Sequence, residues 1–361
     1  MKAVVVQRGE RKPRVVDRPR PVSDPGEALV RILRVGVDGT DREVIRGAHG
    51  GFPADADEMV LGHEAVGVVV EPNDTDLAMG QAVVPTVRAP ATDGDRSWFD
   101  RGEADMAPWD AGDFHERGIA GADGYMAEYV TCPARALVPI PDDQVAEGFL
   151  VEPLSISVKA LEQVSAARSA FDWRPESAIV LGNGSLGLLT LGLLNVGDRF
   201  DRLYCLGRRD RPDPSIEIIE DLGATYVDSR ETPVAALPDK VEPMDLVFEA
   251  TGSPRHAVET VEALAAGGVG ALLGVPEDGE MEIDAGRLHR KMVLDNKALV
   301  GSVNSNSGHL ATASDRLADL PEWLVERVVT GIYPPERLDA AFADDDTTIK
   351  TAVELGEYEK R

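Results

Sequence analysis

The sequence predicts an α/β protein whose first part is rich in strands and whose second part is a doubly wound parallel sheet. Up to about residue 155, short apolar runs alternate with turns rich in Gly, Pro and Asp, which is typical of strands. After that point, strand-like and helix-like runs alternate, as they do in a sheet built from βαβ units. A glycine-rich turn joins one of these strands to a leucine-rich helical pattern and supports the second prediction.

The strand-rich part carries six apolar runs, at residues 3–6, 28–37, 65–70, 82–85, 125–130 and 137–140. A segment rich in Pro, Gly and Asp at 90–118 interrupts them, and we expect it to be irregular and exposed.

The second part begins with a helical stretch at 159–168. Its strand-like runs are 203–206, 246–248, 271–275 and 299–303, and its helix-like runs include 216–222 and 257–265. Two more helical patterns and the segment 347–355 follow residue 308. A chain of 361 residues is long enough for two domains, which we place at 1–157 with 308–361 and at 158–307.

The most specific motif follows the apolar run 178–181. It is a GxGxxG pattern made of Gly182, Asn183, Gly184, Ser185, Leu186 and Gly187. Placed between a strand and a helix, such a pattern binds the pyrophosphate of a dinucleotide at the helix N-terminus. The first glycine permits the tight turn, the second lets the backbone approach the phosphates, and the third allows close packing. The alternative is a membrane-spanning run, which the glycines and polar residues argue against.

The end of the next strand indicates which dinucleotide binds. NAD sites usually carry an acidic residue about 20 positions after the third glycine, but this chain has Gly207 followed by Arg208 and Arg209. Two guanidinium groups can hold a 2′-phosphate. The sequence therefore favours NADP, with NAD possible. The alternative is that both arginines only solvate a turn beside Asp210 and Asp213.

The charge balance excludes several classes of partner. The chain has 64 acidic and 37 basic residues, a formal net charge of −27, and only eight of its basic residues are Lys. Nucleic acids and anionic membranes are therefore excluded as partners. An acidic surface poor in Lys resembles the proteins of halophilic archaea, which molar salt screens. The alternative is an ordinary acidic mesophilic protein.

Cysteine content and the N-terminus favour a cytoplasmic protein. The two cysteines, Cys132 and Cys205, form no disulfide framework. The apolar run at the N-terminus is short and soon charged, so it predicts a first strand and not a signal peptide.

Three short segments contain candidate metal ligands. Asp38-Gly39-Thr40-Asp41 follows the apolar run 28–37, and His63-Glu64 precedes the run 65–70. Glu152 stands where the strand-rich part meets the second part. Each has a simpler interpretation, because Asp-Gly is a common turn dipeptide and His63 with Glu64 could be a surface pair. Their order, and the nucleotide motif that follows them, favour a metal site.

These motifs together resemble those of the zinc-containing medium-chain alcohol dehydrogenases over nearly the whole chain. The resemblance implies a GroES-like β-rich catalytic domain, an inserted Rossmann domain and a return to the first domain. The segments 35–41, 62–67, 149–153, 205–210 and 301–304 are most similar to archaeal glucose dehydrogenases, especially those of halophiles. This agrees with the separate inference from charge.

The resemblance implies one catalytic zinc held by Asp38 and His63, with Glu64 and Glu152 as carboxylate candidates. The family usually has Cys where this chain has Asp38, and harder oxygen ligands weaken discrimination against manganese or magnesium. Many relatives also hold a structural zinc through four cysteines, but residues 90–118 contain none. We therefore expect no structural zinc. Acidic residues occupy that stretch instead: Asp93, Asp95, Asp100, Glu103, Asp105, Asp110, Asp113 and Glu116.

The implied reaction is oxidation of an aldose, D-glucose being the expected one, at C1 to the lactone, with zinc as Lewis acid and the coenzyme accepting hydride. Thr40 matches the family's proton-relay hydroxyl, although it could instead cap the next helix. The sugar hydroxyls would bind Thr40, Glu116, Glu152 and Asn304. The nicotinamide would be edged by residues at two strand ends: Leu273, Gly274, Val275, Ser302, Val303 and Asn304.

The sequence is also compatible with several other functions. The substrate could be another aldose or a polyol, or the chain could be a metal-free quinone or enone reductase, or a coenzyme-binding protein without catalysis. The set of His63, Glu64 and Glu152 argues against the reductase, and Asp38, Thr40 and His63 together argue against lost catalysis. A homo-oligomer, either dimer or tetramer, is the expected assembly.

Overall fold

The computed structural model describes residues 1–276 and 279–358. The strands in these residues are β1 Lys2–Gln7, β2 Arg14–Asp17, β3 Glu27–Val37, β4 Glu58–Val60, β5 Glu64–Glu71, β6 Ala82–Pro85, β7 Arg88–Pro90, β8 Phe114–Arg117, β9 Gly121–Ala122, β10 Tyr129–Pro133, β11 Leu137–Pro139, β12 Ser177–Leu181, β13 Arg202–Gly207, β14 Thr225–Asp228, β15 Met244–Glu249, β16 Leu264–Leu272, β17 Ala298–Gly301, β18 Val329–Tyr333 and β19 Lys350–Glu354.

The α-helices are α1 Gly39–Arg46, α2 Ser97–Asp100, α3 Val151–Ala166, α4 Ser185–Val196, α5 Pro214–Asp221, α6 Leu237–Lys240, α7 Pro254–Ala263, α8 Ala285–Leu294, α9 Ser307–Asp319, α10 Glu322–Val328 and α11 Leu338–Ala341. Short 3-10 helices span Ala104–Met106, Trp109–Ala111, Ala134–Ala136, Asp142–Gln144, Gly148–Leu150, Val234–Ala236 and Pro335–Arg337. No helix within the described residues is both long and apolar enough to cross a membrane.

The chain forms two compact units. Unit 1 contains Met1–Ser155, Asn304–Ala318 and Val329–Arg361, and unit 2 contains Ile156–Val303 and Asp319–Val328. The second stretch of unit 2 contains α10, whose Leu324 is fully buried and packs on the helix α4, where a side chain at Gly192 would meet it. The domain limits drawn from the sequence stay a prediction.

Unit 1 is built on a mostly antiparallel sheet with strand order β11-β6-β5-β3-β19-β18, to which β10 adds by pairing with β3. Two three-stranded sheets, β2-β1-β4 and β7-β8-β9, complete it. The long strand β3 alternates buried runs with half-buried positions, and its apolar side chains join those of β1 and β5 in one core. Burial of this apolar surface is the main force that holds the sheets together.

Unit 2 is a six-stranded parallel sheet with the order β14-β13-β12-β15-β16-β17. This order reverses direction at β12, as in doubly wound dinucleotide-binding folds. All five residues of β12 are buried, which explains why the run reads as continuously apolar instead of alternating. The α/β fold expected from the sequence, with a GroES-like unit and a Rossmann-type sheet, is therefore confirmed.

Some element limits differ from those that the apolar runs suggest. The run 125–130 is not one strand, because β10 covers only Tyr129–Pro133. Tyr125 is instead a buried residue whose hydroxyl donates to the Thr86 carbonyl at 2.6 Å. The run 299–303 is strand only as far as Gly301. The first helix of the second part begins earlier than expected, at Val151, because a proline at its third position is tolerated in a first turn.

The segment 90–118 is only partly the irregular, exposed insertion that its composition indicated. It contains the short helix α2 and the strand β8, and it buries Phe99, Asp105 and Glu116. Buried acidic side chains in a stretch rich in Asp cannot be recognised from composition, because their burial depends on partners elsewhere in the chain.

Candidate metal and coenzyme sites

The first candidate ligand, Asp38, uses its two oxygens differently. It is the N-cap of α1, and its Oδ1 accepts a hydrogen bond from the Asp41 backbone N–H at 2.9 Å. In return Oδ2 of Asp41 accepts from the Asp38 backbone N–H at 3.1 Å, which completes a capping box. The second oxygen of Asp38, Oδ2, lies 3.7 Å from Nε2 of His63. Helix capping therefore fixes the carboxylate while leaving one oxygen directed at the imidazole.

His63 and Glu64 are positioned by the turn into β5. Gly62 has a φ of 86°, a backbone conformation that residues other than glycine rarely adopt. The strand β5 begins two residues later. In the pairing of β3 with β5, Glu64 lies opposite Gly36. A Cβ atom at Gly36 would overlap Oε2 of Glu64, so the glycine makes the space that this buried carboxylate occupies.

Glu152 completes the cluster from the first turn of α3. Two groups of side chains could each hold a metal ion, one made of Asp38, Asp41 and His63 and the other of His63, Glu64 and Glu152. In each group the candidate ligand atoms all lie within 4.8 Å of one another. His63 belongs to both, so the structure brings the three predicted carboxylate ligands, Asp38, Glu64 and Glu152, together around its imidazole.

Lys350, which no sequence motif marks, also belongs to this cluster. Its side chain is 0% exposed, and its ammonium group forms an ion pair with Oε2 of Glu64, whose side chain is 2% exposed. Lys350 comes from β19, near the end of the chain, and β19 pairs with β3 beside β5. An isolated lysine in a strand carries no motif, so only the sheet order could have indicated its partner.

The pKa values of Asp38 and His63 are shifted in opposite directions by the attraction between their charges. Burial would raise the pKa of Asp38, but His63 and Lys350 hold it down at about 2. Burial would lower the pKa of His63, but Asp38 and Glu152 raise it to about 9. Each charge therefore stabilises the other.

The pKa values of the remaining carboxyl groups are raised. Burial, with the charge of Asp38, raises the pKa of Asp41 to about 7. Burial raises the pKa of Glu152 to about 8 despite the opposing effect of His63, and it raises the pKa of Glu64 despite Lys350. Two basic groups do not compensate four carboxyl groups, and a divalent cation would supply the missing positive charge.

The donor set fits zinc. Ligand atoms around a four-coordinate zinc lie about 3.4 Å apart, given bond lengths of about 2.0–2.2 Å, close to the 3.7 Å between Asp38 Oδ2 and His63 Nε2. The other ring nitrogen of His63, Nδ1, is buried and makes no hydrogen bond within the described residues. An imidazole with uncommitted nitrogens among carboxylates is a suitable environment for zinc and, with these oxygens, also for manganese.

Three predicted sugar-binding residues lie near further polar groups of unit 1. Thr40 lies in the first turn of α1, whose N-cap is Asp38, and its hydroxyl group helps His63 and Lys350 to hold the pKa of Asp38 low. Glu116 is buried on β8 and accepts hydrogen bonds from Nδ2 of Asn304 at 3.2 Å and from Nε of Arg88 at 3.0 Å. Asn304 has a φ of 57°, so a strained backbone presents its amide. Arg88 was not identified from the sequence.

The glycines of the coenzyme motif have distinct environments in unit 2. Gly182 has a φ of 114°, and a Cβ atom at Gly187 would overlap the carbonyl oxygen of Gly182. Gly184 is the N-cap of α4, and no atom lies within 4 Å of where its Cβ would be. The first and third glycines are thus required by the turn and the packing, and the second leaves open space at the helix N-terminus. Ser185 and Leu186 begin that helix.

The residues at the end of β13 differ in their exposure and in the contacts that they already make. A Cβ at Gly207 would lie 2.6 Å from Oδ1 of Asn183. Arg208 is exposed and has no ion pair within the described residues. The backbone N–H of Arg209 donates to the Tyr226 hydroxyl at 2.8 Å, and its guanidinium Nε lies 4.0 Å from Asp213.

The two predicted nicotinamide segments follow neighbouring strands of unit 2. Leu273, Gly274 and Val275 follow the end of β16, and Ser302 and Val303 follow the end of β17. The backbone N–H of Ser302 donates to the carbonyl of Leu272 at 3.0 Å, which holds both ends side by side. Ligands of open parallel sheets bind beyond these carboxyl ends.

Two family models match the chain. Residues 145–355 match the glucose dehydrogenase C-terminus, and residues 24–142 match the alcohol dehydrogenase GroES-like domain.

Relatives and solved structures agree with these matches. The chain is 61% identical to a glucose 1-dehydrogenase of Haloferax mediterranei over 98% of this chain and 99% of the relative, and 61% identical to glucose 1-dehydrogenase 1 of Haloterrigena turkmenica over the same shares. The structure of the Haloferax mediterranei glucose dehydrogenase in complex with NADP, Zn and gluconolactone matches with a TM-score of 0.97, covering 99% of this chain and 100% of that one.

Proposed function

The chain belongs to the glucose dehydrogenase family, and we propose that it oxidises D-glucose at C1 to the lactone, with NADP as hydride acceptor and one zinc ion as Lewis acid. The observation that carries this proposal is the buried cluster around His63, in which four carboxyl groups face one imidazole and one lysine. A metal-free reductase of the same fold has no use for such a cluster, because uncompensated buried carboxylates destabilise a protein.

Zinc binds through Asp38 and His63 in this proposal, with a carboxylate from Glu64 or Glu152 as the third ligand. Three protein ligands and one open position are the usual catalytic arrangement. Bound there, zinc supplies Lewis acidity toward the oxygen of the anomeric hydroxyl. The pairing of Glu64 with Lys350 favours Glu152 as the third ligand, because Glu64 already has a cationic partner.

Thr40 accepts the proton of the C1 hydroxyl in this mechanism. A threonine hydroxyl has one donor hydrogen and two acceptor lone pairs, so Thr40 takes the proton of the substrate on its oxygen while it releases its own hydrogen to water. The position of Thr40 in the first turn of α1, exposed enough to reach solvent, suits a relay from the sugar to water. We assign the proton relay to Thr40 and the capping of α1 to Asp38.

Glu116 and Asn304 orient the sugar, with Glu152 as a further acceptor. The carboxylate and the amide already lie within hydrogen-bonding distance of each other, so a sugar hydroxyl placed beside them finds both an acceptor and a donor. A buried site of this kind rejects substrates that lack the matching hydroxyl, since its polar groups would then be left unpaired.

NADP is the preferred coenzyme in this proposal, and NAD a weaker one. The pyrophosphate binds at the N-terminus of α4 beside Gly184, and Arg208 with Arg209 holds the 2′-phosphate. Asn183 donates from Nδ2 to Ser215 at 2.6 Å, which fixes the turn against the start of α5. The segments around Gly274 and Ser302 lie beside the nicotinamide ring.

A panel of aldoses and polyols, assayed with NADP and with NAD in molar KCl, tests the proposal. We expect the highest kcat/KM for D-glucose with NADP and an aldonolactone as product. A preference for an acyclic polyol would assign a different substrate to the same site. Turnover of enones that survives complete chelation would instead support the metal-free reductase. The homo-oligomeric state stays a prediction, which light scattering would settle.

A further inference from the structure

A cavity in unit 1 has the features of an anion-binding site. It encloses about 540 Å³, within the range of small-molecule sites. Its walls come from β7, the turn after α2, the end of β10 and the start of α9. Asp38, His63, Glu64, Glu152 and Glu116 are not among the described residues that line it, so it is distinct from the metal cluster.

The charge of the lining is opposite to that of the chain as a whole. Acidic residues outnumber basic ones by 64 to 37 in the sequence. The cavity is lined by one carboxylate, Asp100, and by four arginines: Arg88, Arg101, Arg117 and Arg135. A local excess of guanidinium groups in so acidic a protein attracts anions to this place on the surface.

Two of the four arginines are already neutralised by carboxylates. Arg88 donates from Nε to Glu116 at 3.0 Å, and both side chains are almost completely buried. Arg101 donates from Nε to Glu103 at 3.1 Å. Arg88 and Arg101 therefore form part of the cavity wall, and the positive charge available to a ligand comes from Arg117 and Arg135.

Arg117 and Arg135 carry that free charge. Neither guanidinium forms an ion pair within the described residues; Glu27 and Asp123 are the carboxylates that act on Arg117 from farther away. Arg117 is only partly exposed and donates one long hydrogen bond, at 3.3 Å, to the carbonyl of Thr131, while its guanidinium lies 5.3 Å from the centre of the Tyr125 ring. This hydrogen bond uses one of the guanidinium N–H donors, so the others are available to a ligand in the cavity.

The start of α9 adds a further positive contribution. Asn306 and Ser307 line the cavity, and Oδ1 of Asn306 accepts from the backbone N–H groups of Gly308 and His309 at 3.0 and 3.1 Å. The N-terminal end of α9, which carries the positive end of the helix macrodipole, therefore forms part of the cavity wall. Phe99 and Pro133 supply an apolar part of the wall.

We propose that this cavity binds a small oxyanion of the phosphate class, either inorganic phosphate or a phosphate monoester. Planar guanidinium groups hold phosphate oxygens through paired N–H donors, which suits the two arginines that form no ion pair within the described residues. The volume exceeds what one phosphate needs, and the apolar wall accommodates a short organic group attached to it.

Isothermal titration of the NADP-saturated protein in 1 M KCl tests the proposal. Saturating NADP fills the coenzyme's own phosphate positions, so that any further binding reports on another site. We expect inorganic phosphate to bind saturably with one ion per chain. Arg135→Gln should weaken it about tenfold and Arg117→Gln at least as much, because each removes charge-assisted hydrogen bonds. Arg135 is exposed, so its variant is expected to fold.

The control is Arg11→Gln, which removes an exposed arginine of the same unit outside the cavity and should leave phosphate binding unchanged. A parallel titration with glycerol 3-phosphate distinguishes the two sources: tighter binding than phosphate indicates a monoester, and equal binding indicates the free ion. The proposal is overturned if no saturable binding occurs in the presence of NADP, or if Arg117→Gln and Arg135→Gln bind phosphate as the parent protein does.

Discussion

Lys350 and Glu64 form an ion pair from which water is excluded, and it stands directly beside the cluster of metal ligands. Breaking a buried pair by removing one partner leaves an uncompensated charge, which costs about 3–5 kcal/mol. The pair therefore does two things at once. It stabilises the metal-free fold, and it gives Glu64 a partner that competes with the metal ion for the same carboxylate.

Lys350→Met should separate these two effects. The unfolding midpoint of the metal-free protein should fall, because Glu64 loses its cationic partner. The affinity for zinc should rise, since the cluster becomes more negative and Glu64 is free to bind the ion. Thermal unfolding with and without zinc, together with competition against a chromophoric chelator, measures both quantities. The matched control Lys350→Arg keeps the charge and should change the zinc affinity little. Weaker zinc binding by Lys350→Met would contradict this interpretation.

The double variant Arg208→Gln with Arg209→Gln should change coenzyme preference. If both guanidinium groups hold the 2′-phosphate, their loss costs about 1.5–3 kcal/mol for each charge-assisted hydrogen bond. The KM for NADP should then rise far more than the KM for NAD. Steady-state kinetics with both coenzymes measures this ratio. Arg211→Gln is a suitable control, because Arg211 pairs with Glu220 on α5; an unchanged NADP preference in the double variant would disprove the assignment.

His63→Ala should lose the metal and keep the coenzyme. His63 belongs to both groups of candidate ligands, whereas the coenzyme motif lies in unit 2. Metal analysis should therefore give close to one zinc per chain for the parent protein and almost none for the variant, and turnover should be lost. NADP titration followed by fluorescence should give a similar Kd for both. His289→Ala, at an exposed position, should retain metal and turnover. Two tightly held zinc ions in the parent protein would show that a structural site exists after all.

The fold could be predicted from the sequence because its signals are local. The continuous apolar run of β12 and the glycines that follow it specify a strand, a turn and a helix within a few residues. Asp38, His63, Glu64 and Glu152 could be proposed for the same reason, since each stands in a short motif beside a strand or helix. The structure brings these four together in unit 1.

Other site residues depend on long-range pairing and left no local signal. Lys350 reaches Glu64 only because β19 joins the sheet beside β3. Arg88 meets Glu116 because β7 and β8 pair with these two residues opposite each other. Neither residue type nor spacing along the chain predicts these contacts, since they are consequences of strand order and register.

Stability should rise with salt, because the folded chain carries a formal charge of −27 and repels itself. At 0.05 M salt the Debye length exceeds about 10 Å, and at about 1 M it is near 3 Å, so that screening removes most of the repulsion between exposed carboxylates. We expect the unfolding midpoint and the rate with glucose and NADP both to increase along a KCl series from about 0.05 M to molar concentration. Chloride is preferable to sulfate, because sulfate also strengthens apolar burial and would mix two effects. NaCl at matched ionic strength is the control and should give nearly the same curve if screening is responsible. A midpoint that stays flat or falls along both series would exclude adaptation to high salt while leaving the assignment of the dehydrogenase reaction intact.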